Sequence, residues 1–320
     1  MITVGVIRGG TNTHYDTSLE TGGHLLSELR NERFKDTYKV VDIFIDKEGL
    51  WHMGGIPVTM PRLASSVDVI LNALHGGFGE NGALQEILDR WDIPYVGSDS
   101  QSSAISYNKE STKQEFDHLG IKTPRHILFP AYQEDFDGPI EEYAQAKAKH
   151  VWERFSPPWI MKPLTKGSSM GVHVCKTYAE LVRAFEMGVS QNVSVIFEEM
   201  IEGKKASVVV VEKFRGQDLY SFPVIEIGET RMTCPGNFSS DEKKELERLA
   251  LQVHKELGFG HYSQTDFVVH PRRGMYGLET TTLPRITTDT PLFHALSSVG
   301  ANTPEFLDHV ITLAYQKKNL

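Results

Sequence analysis

The segment 262–285 constrains the fold more than any other, because it has the pattern of two short strands joined by the polar turn PRRG. Asp266 and Glu279 lie at equal distances from the centre of that turn, so an antiparallel pair would set them opposite each other. Directly opposed side chains have Cβ atoms about 4.5–5.5 Å apart, where two carboxylates repel unless a cation lies between them. Gln264 and Thr281 share this face, because strand side chains alternate. A divalent metal site is one interpretation, and an exposed hairpin with its acids in water is the other.

Composition limits the class of protein. The chain has 320 residues, of which 40% are hydrophobic and 23% charged, which indicates about two globular domains with a substantial core. Its formal net charge of -9 disfavours a general nucleic-acid binder, which needs a basic surface. The two cysteines are too few for a disulfide framework, and no apolar run is long enough to span a membrane. Since the N-terminus enters a strand pattern at once, we expect no signal peptide, a cytoplasmic protein, and neither nucleic acid nor membrane as a partner.

The N-terminal third has the pattern of a doubly wound α/β unit. The apolar run ITVGVIRGG ends in two glycines and precedes a helical pattern, and further strand patterns follow at 38–46 and 67–74. In such sheets, ligands bind beyond the carboxyl ends of the strands. His75 and Glu80 follow the second of these strand patterns, which predicts that they bind a ligand. The alternative is a loop histidine and a glutamate that stabilises a helix N-terminus.

A lysine and a glycine-rich loop indicate a phosphate site. Lys162 lies inside the apolar strand pattern WIMKP and is followed by the loop TKGSSMG. A buried lysine is costly to desolvate without an anionic partner, and glycines beside hydroxyl groups let backbone N–H groups approach phosphate oxygens. Lys162, Lys166, Ser168 and Ser169 therefore predict a phosphate clamp, although their order differs from that of a Walker A loop. A hairpin with a flexible tip is the alternative.

A further strand pattern, SVIFEE, ends in Glu198 and Glu199. The end of such a strand can offer backbone groups to a purine, and carboxylates to an exocyclic amine or a ribose. Upstream, Lys109 and Lys113 are four residues apart and share one helical face, which usually faces solvent. The segment 241–260 has the pattern of a strongly amphipathic helix and leads into the acid-bearing hairpin.

The order of these features is that of an ATP-grasp enzyme: a lysine on a strand, a flap rich in glycine and serine, a strand that ends in acids, and a later Asp–Glu pair. More narrowly, the chain resembles the D-alanine:D-alanine ligase family over nearly its whole length. The motifs that carry the resemblance are RGGTNTHYDTSL, HGGFGENGALQ, IPYVGS, NKESTKQEFDHLGIKTP, MKP, KGSSMGV, FEEMIEG, TDFVV and GLETTTLP.

The resemblance implies an α/β (α+β) protein with the ATP-grasp fold and an N-terminal doubly wound α/β domain. That substrate-binding domain would span residues 1–98. A central ATP-grasp subdomain with the phosphate flap would span 99–183, and a C-terminal subdomain with the adenine slot and the metal hairpin would span 184–320. The resemblance also implies a homodimer.

Roles for individual residues follow from the same resemblance. ATP would be bound by Lys109, Lys162, Lys166, Gly167, Ser168, Ser169, Glu198, Glu199 and Ile201. Magnesium, with manganese as an alternative, would be held by Asp266, Glu279 and Thr281. The amino-acid substrate, D-alanine in this family, would contact His75, Glu80 and Ser18. The catalytic residues would be Ser168, Arg285 and His14.

Several positions depart from the family pattern. Gln264 stands where the family has an arginine, Thr281 where it has an asparagine, and Arg285 where it has a glycine. His14 and Lys205 each stand where the family has an acid. The lid that carries a lysine and a tyrosine in the family is missing, because the run IEI leads almost directly to TCPG.

These departures surround the amino-acid pocket, whereas the phosphate lysines and the metal acids are kept. We therefore expect an ATP-dependent ligase that forms a dipeptide of the D-alanyl-D-alanine type through an acyl phosphate, for peptidoglycan precursor synthesis. One alternative is a ligase with a different amino-acid or hydroxy-acid acceptor. The other is a catalytically impaired, nucleotide-binding homologue.

Overall fold

The computed structural model describes residues 1–132, 136–165, 171–190 and 193–317. The strands are β1 (Ile2–Gly9), β2 (Tyr38–Ile45), β3 (Trp51–Met53), β4 (Ile56–Pro57), β5 (Val69–Asn72), β6 (His126–Phe129), β7 (Trp159–Pro163), β8 (His173–Cys175), β9 (Val195–Glu199), β10 (Lys204–Glu212), β11 (Leu219–Ser221), β12 (Ile225–Ile227), β13 (Met232–Thr233), β14 (Tyr262–His270) and β15 (Gly274–Thr281). The helices are α1 (Tyr15–Leu29), α2 (Met60–Ala64), α3 (Ala83–Arg90), α4 (Ser100–Tyr107), α5 (Lys109–His118), α6 (Ile140–Arg154), α7 (Tyr178–Ser190), α8 (Ser240–Glu256), α9 (Pro291–Ser298) and α10 (Thr303–Lys317). None of the helices described is long and apolar enough to cross a membrane.

The first sheet has the strand order β4-β3-β2-β1-β5. Its inner strands β2, β1 and β5 are parallel, whereas β3 and β4 extend one edge in antiparallel fashion. Parallel strands that are covered on both faces read as continuous apolar runs, which is why ITVGVIRGG forms β1. The doubly wound N-terminal unit predicted from the sequence is confirmed.

The second sheet, β6-β9-β7-β8, is antiparallel throughout. Helices α6 and α7 pack against each other and share a core with this sheet, in which Phe185 stacks on Phe197 with ring centroids 4.2 Å apart. The fully buried Trp159 belongs to the same core. This sheet carries Lys162 on β7 and the two acids at the end of β9, so it supplies the predicted phosphate lysine and the predicted adenine-slot acids from adjacent strands.

The third sheet has the order β13-β12-β10-β14-β15, with β11 also paired to β10. Helix α8 covers one face; it begins with a capping box between Ser239 and Glu242 and buries Leu246 and Val253 completely. The other face shares a core with the first sheet and with α10. This packing fixes the β14–β15 hairpin opposite the carboxyl ends of the parallel strands.

The first sheet lies within the expected segment 1–98, whereas the second sheet crosses the expected boundary at residue 184. Strand β9 pairs with β6 and β7 although it follows residue 184. We therefore propose that the second subdomain ends after Glu199 and the third begins with β10, while the first boundary stays near residue 98.

Candidate active site

The β14–β15 hairpin sets Asp266 directly opposite Glu279 and Gln264 opposite Thr281, so the predicted pairing is confirmed. A bulge interrupts the register between Asp266 and Phe267. The two pairs are two residues apart along each strand. Because strand side chains alternate between the two faces of a sheet, all four side chains lie on one face of the third sheet.

Asp266 is held in place by two donors. Ser207 on β10 donates a hydrogen bond to Asp266 Oδ1 at 2.6 Å, and Gln264 Nε2 donates to the same oxygen at 3.0 Å. Burial, followed by the negative charge of Glu279, raises the pKa of Asp266 to about 6, and the two hydrogen bonds, together with the charge of Lys162, only partly offset this. A carboxylate with this environment is destabilised until a cation arrives.

The donor set of the hairpin fits magnesium. Mg²⁺ is usually bound by one or two carboxylates together with substrate phosphates and water, rather than by a complete protein cage. Asp266 and Glu279 supply two carboxylates, and Thr281 adds a neutral oxygen on the same face. Within the described ranges no cluster of three or more His, Cys, Asp or Glu side chains could hold a metal.

A cavity of about 550 Å³ connects this hairpin to the first sheet. Its lining includes the predicted site residues His14, His75, Glu80, Lys109, Asp266, Glu279, Thr281 and Arg285. A volume of this size is typical of a small-molecule site. The structure thus brings together, around one space, residues that the sequence analysis assigned separately to the substrate, the metal and the phosphates.

One end of the cavity, which contains the predicted substrate residues His75 and Glu80, is built by the loops after β1 and β5. His75 Nε2 lies 2.8 Å from Thr21 Oγ1, and His75 Nδ1 lies 3.9 Å from Glu80 Oε1. Glu80 Oε1 also accepts a hydrogen bond from the Gly76 N–H at 2.9 Å. Gly76 has a φ of 64°, and a Cβ there would lie 2.6 Å from His14 Cδ2, so only glycine allows His14 to pack here.

Ser18 does not reach the cavity. Its hydroxyl is fully buried, accepts a hydrogen bond from the Gly9 N–H at 2.9 Å, and donates one to the Ala73 carbonyl at 2.8 Å. It therefore joins the ends of β1 and β5, and Thr17 lines the cavity in its place. The substrate contact of Ser18 stays a prediction, and its hydroxyl already has two partners within the fold.

A buried ion triad of Lys113, Lys162 and Glu198 lies beside Lys109. Glu198 is 1% exposed, and its two oxygens lie 3.2 Å from Lys113 Nζ and 2.9 Å from Lys162 Nζ. Although burial works against the charged forms, the two ammonium groups lower the pKa of Glu198, and Glu198 together with Glu279 raises the pKa of Lys162. Burial lowers the pKa of the neighbouring Lys109, and Lys162 adds to that effect.

Glu199, the second acid of β9, faces away from the lysines and binds two arginines. Arg125 Nη2 and Arg273 Nη2 each donate to Glu199 at 2.8 Å, and these bonds lower its pKa although burial opposes the shift. Arg273 belongs to the tip of the metal hairpin, so this cluster connects the second sheet to the third. Ile201 is half-buried in the loop after β9. The adenine-slot role of Glu198, Glu199 and Ile201 stays a prediction.

Two family models match the chain. The model for the D-ala D-ala ligase C-terminus matches residues 127–312, and the model for the D-ala D-ala ligase N-terminus matches residues 55–98. The chain belongs to the D-alanine–D-alanine ligase family. A D-alanine–D-alanine ligase of Fervidobacterium nodosum is 27% identical, over 98% of this chain and 99% of its own length.

Solved structures of the family share the fold. The D-alanine–D-alanine ligase of Coxiella burnetii has a TM-score of 0.84 at 22% identity, and the match covers 100% of this chain and 96% of that one. The ligase of Bacillus anthracis complexed with ATP has a TM-score of 0.79 at 24% identity, covering 99% and 98%. These structures have the ATP-grasp fold, which confirms the expected fold class. Members of the D-alanine–D-alanine ligase family are ATP-dependent ligases that use Mg²⁺ and serve peptidoglycan precursor synthesis.

The lid expected of a D-alanine–D-alanine ligase is reduced to a short hairpin in this chain. Strands β12 and β13 pair in register and are joined by residues 228–231, where the Gly228 N–H donates to the Arg231 carbonyl. Met232 from this hairpin lines the cavity. Lys205 is exposed and lies opposite Val268 on β14. The glycine-serine flap, with Lys166, Gly167, Ser168 and Ser169, lies outside the described residues.

Two residues of the site, Ser207 and Tyr107, were missed in the sequence, and a third, Lys113, was given the wrong environment. Ser207 supports Asp266 from the strand next to the hairpin, a position that only the β10–β14 register reveals. Tyr107 lines the cavity, and its hydroxyl accepts the Gly77 N–H at 2.8 Å. The prediction that Lys113 faces solvent is wrong, since its side chain is completely buried against Glu198. The four-residue spacing from Lys109 was the one signal that pointed to it.

Proposed function

We propose that this chain is an ATP-dependent ligase that joins the carboxyl group of one D-alanine to the amino group of a second small amino acid. The observation that carries the proposal is the single cavity lined by the acid pair of the metal hairpin, by Lys109, and by His75 and Glu80. A carboxylate donor held at the carboxyl ends of the parallel strands would therefore lie next to the groups that bind the phosphates of ATP.

The proposed reaction has two steps. An oxygen of the donor carboxylate attacks the γ-phosphorus of ATP, so that ADP leaves and an acyl phosphate forms. The amine of the second substrate then attacks the acyl carbon and an amide bond forms; phosphate leaves with the oxygen that the carboxylate contributed, and the proton lost by the nitrogen passes to that phosphate or to water. Activation is needed because a free carboxylate is too poor an electrophile for an amine.

The residues of the site would act mainly by charge and position. Lys109 and Lys162 would neutralise the phosphate oxygens, and Mg²⁺ bound by Asp266 and Glu279 would stabilise the charge that develops on the transferred phosphoryl group. Gln264 and Ser207 keep Asp266 oriented. Because such positioning makes the reaction effectively unimolecular, it supplies a large part of the rate enhancement.

Arg285 is the candidate for the cation that lies near the acyl carbon of the substrate. It is the one arginine among the described residues that line the cavity, it is exposed, and it follows the hairpin on the side of Thr281. A guanidinium there would stabilise the oxyanion formed when the amine attacks, which Gln264 cannot do as a neutral group. We infer that Arg285 stabilises the oxyanion in this protein.

A different acceptor is the second candidate function. Four of the five side chains that depart from the family pattern, His14, Gln264, Thr281 and Arg285, line the cavity, so they would contact the substrate. This observation favours a ligase whose second substrate is another amino acid or a hydroxy acid. An impaired homologue would keep nucleotide binding without turnover.

Phosphate release from ATP and Mg²⁺ separates these functions. Purified protein is assayed with D-alanine alone, and then with D-alanine plus each member of a panel of amino and hydroxy acids. Release together with D-alanyl-D-alanine supports the first function, and release only with another acceptor supports the second. Nucleotide binding without release under any condition contradicts both. The expected homodimer stays a prediction that light scattering tests.

A further inference from the structure

Lys113 is a buried cation that the proposed reaction does not use. It is one helical turn after Lys109 on α5, and its side chain is 1% exposed. Its ammonium group lies 3.2 Å from Glu198 Oε1. An ammonium group in such a place loses several kcal/mol of hydration, so a lysine is retained there only if its charge has a use or its partner needs it.

Glu198 divides its two oxygens between two lysines. Oε2 lies 2.9 Å from Lys162 Nζ, and Oε1 faces Lys113. Lys162 and Glu198 occupy diagonal positions on adjacent strands, since Glu198 is opposite Ile160 and Lys162 is opposite Ile196. The carboxylate thus reaches Lys162 from the same face of the second sheet, and Lys113 approaches from α5.

The charges of the triad do not cancel. Two ammonium groups and one carboxylate leave one net positive charge, which is buried in a region of low dielectric constant. A lone pair of Glu198 and Lys162 would be neutral and would attract a phosphate group only weakly. With Lys113 present, Glu198 is neutralised by a second ammonium group, and the triad keeps one net positive charge beside Lys162, whose side chain is 12% exposed.

We propose that Lys113 is a positioning residue: it neutralises Glu198, so that Glu198 fixes Lys162 without cancelling the positive charge that Lys162 presents to the phosphates of a nucleotide. This inference rests on the proposed ATP site, but it adds a residue that does not itself touch the ligand. It also assigns Glu198 a part in holding the phosphate lysine, distinct from its expected contact with adenine.

Substitutions that change the net charge of the triad test the proposal directly. Lys113→Met removes one positive charge and keeps most of the side-chain volume, so the triad becomes neutral. Adding Glu198→Gln removes the negative charge and restores one net positive charge, while the new amide can still accept a hydrogen bond from Lys162. A purely structural role for Lys113 predicts that the double variant is at least as impaired as the single one.

The measurement is the Kd of Mg²⁺ and a non-hydrolysable ATP analogue, AMP-PNP, determined by calorimetry at fixed ionic strength. We expect Lys113→Met to weaken binding about tenfold or more, and the double variant to bind at least about threefold more tightly than Lys113→Met. Lys149→Met, which removes an exposed lysine of α6, serves as the control and should bind like the wild type. Thermal unfolding of each variant establishes that it is folded.

Two results would overturn the inference. One is Lys113→Met binding AMP-PNP within about threefold of the wild type, and the other is a double variant no tighter than Lys113→Met. In either case the wild type still binds, so the proposed function stands. If the wild type itself does not bind AMP-PNP, the proposed function fails first.

Discussion

Asp266 and Glu279 are opposed across the hairpin only because a bulge takes up one extra residue of β15. On the tip side of the bulge, Phe267 pairs with Gly277, and continuing that register would bring Leu278 opposite Asp266. The bulge leaves Leu278 without a partner and restores the acid pair. Bulges often re-aim side chains next to active sites, and here the bulge decides whether two carboxylates or one face the cavity.

The raised pKa of Asp266 predicts a pH-dependent stability of the metal-free protein. A folded-state pKa of about 6 exceeds the ordinary value of 3.8, so the folded state binds the proton more tightly than the unfolded state does. The free energy of unfolding should therefore fall by about 2 kcal/mol as the pH rises from about 4 to above 6. Asp266→Asn should lack this decrease, whereas Asp36→Asn, an exposed control, should retain it. Parallel denaturant titrations of the three proteins in EDTA check this.

Removing Arg285 should abolish amide formation without abolishing nucleotide binding. We expect Arg285→Ala to lower kcat by about 100-fold or more, because a cation near the oxyanion acts mainly in the transition state. The Kd for AMP-PNP should stay within about threefold of the wild-type value. Arg272→Ala at the exposed hairpin tip is the matched control and should leave both quantities unchanged. Wild-type turnover of Arg285→Ala would exclude the proposed role.

The buried His254 should make the protein less stable at acidic pH. It lies on α8, is 1% exposed, and its Nδ1 is 2.8 Å from Ser263 Oγ on β14. Burial lowers its pKa from 6.5 to about 4, so the unfolded state binds the proton more readily and stability is lost as the pH falls below 6.5. Lowering the pH from about 7.5 to about 5 should therefore reduce the free energy of unfolding by about 2 kcal/mol through this residue.

The difference between wild type and His254→Gln measures that contribution. The glutamine side chain can still bond to Ser263 and does not titrate, so the gap in stability between the two proteins should change by that amount between the two pH values. An equal loss of stability in both would show that other groups dominate.

The hairpin was predictable from the sequence because acids, strands and turn are all local. Its bulge was not predictable. Near the tip, the strand pairing is centred on Arg272 rather than between Arg272 and Arg273, and Asp266 faces Glu279 only because β15 contains one extra residue. The glycine turns and apolar runs likewise indicated the parallel sheet, whose strands are buried on both faces.

The environment of the strand-end acids could not be predicted in the same way. Glu198 and Glu199 were recognised, but their partners Lys113 and Arg273 come from α5 and from the hairpin tip, 85 and 74 residues away in the chain. Whether a lysine faces solvent or a buried carboxylate depends on such distant elements. A helical pattern alone therefore gave the wrong environment for Lys113.

The most direct test of the central claim follows an oxygen atom through the reaction. The protein is incubated with ATP, Mg²⁺ and D-alanine whose carboxyl group carries ¹⁸O, and the released phosphate and the dipeptide are analysed by mass spectrometry. Transfer through an acyl phosphate predicts one ¹⁸O atom in each phosphate released, with an equal amount of dipeptide. Phosphate without ¹⁸O would show that water attacks ATP instead, and would contradict the proposed ligase mechanism.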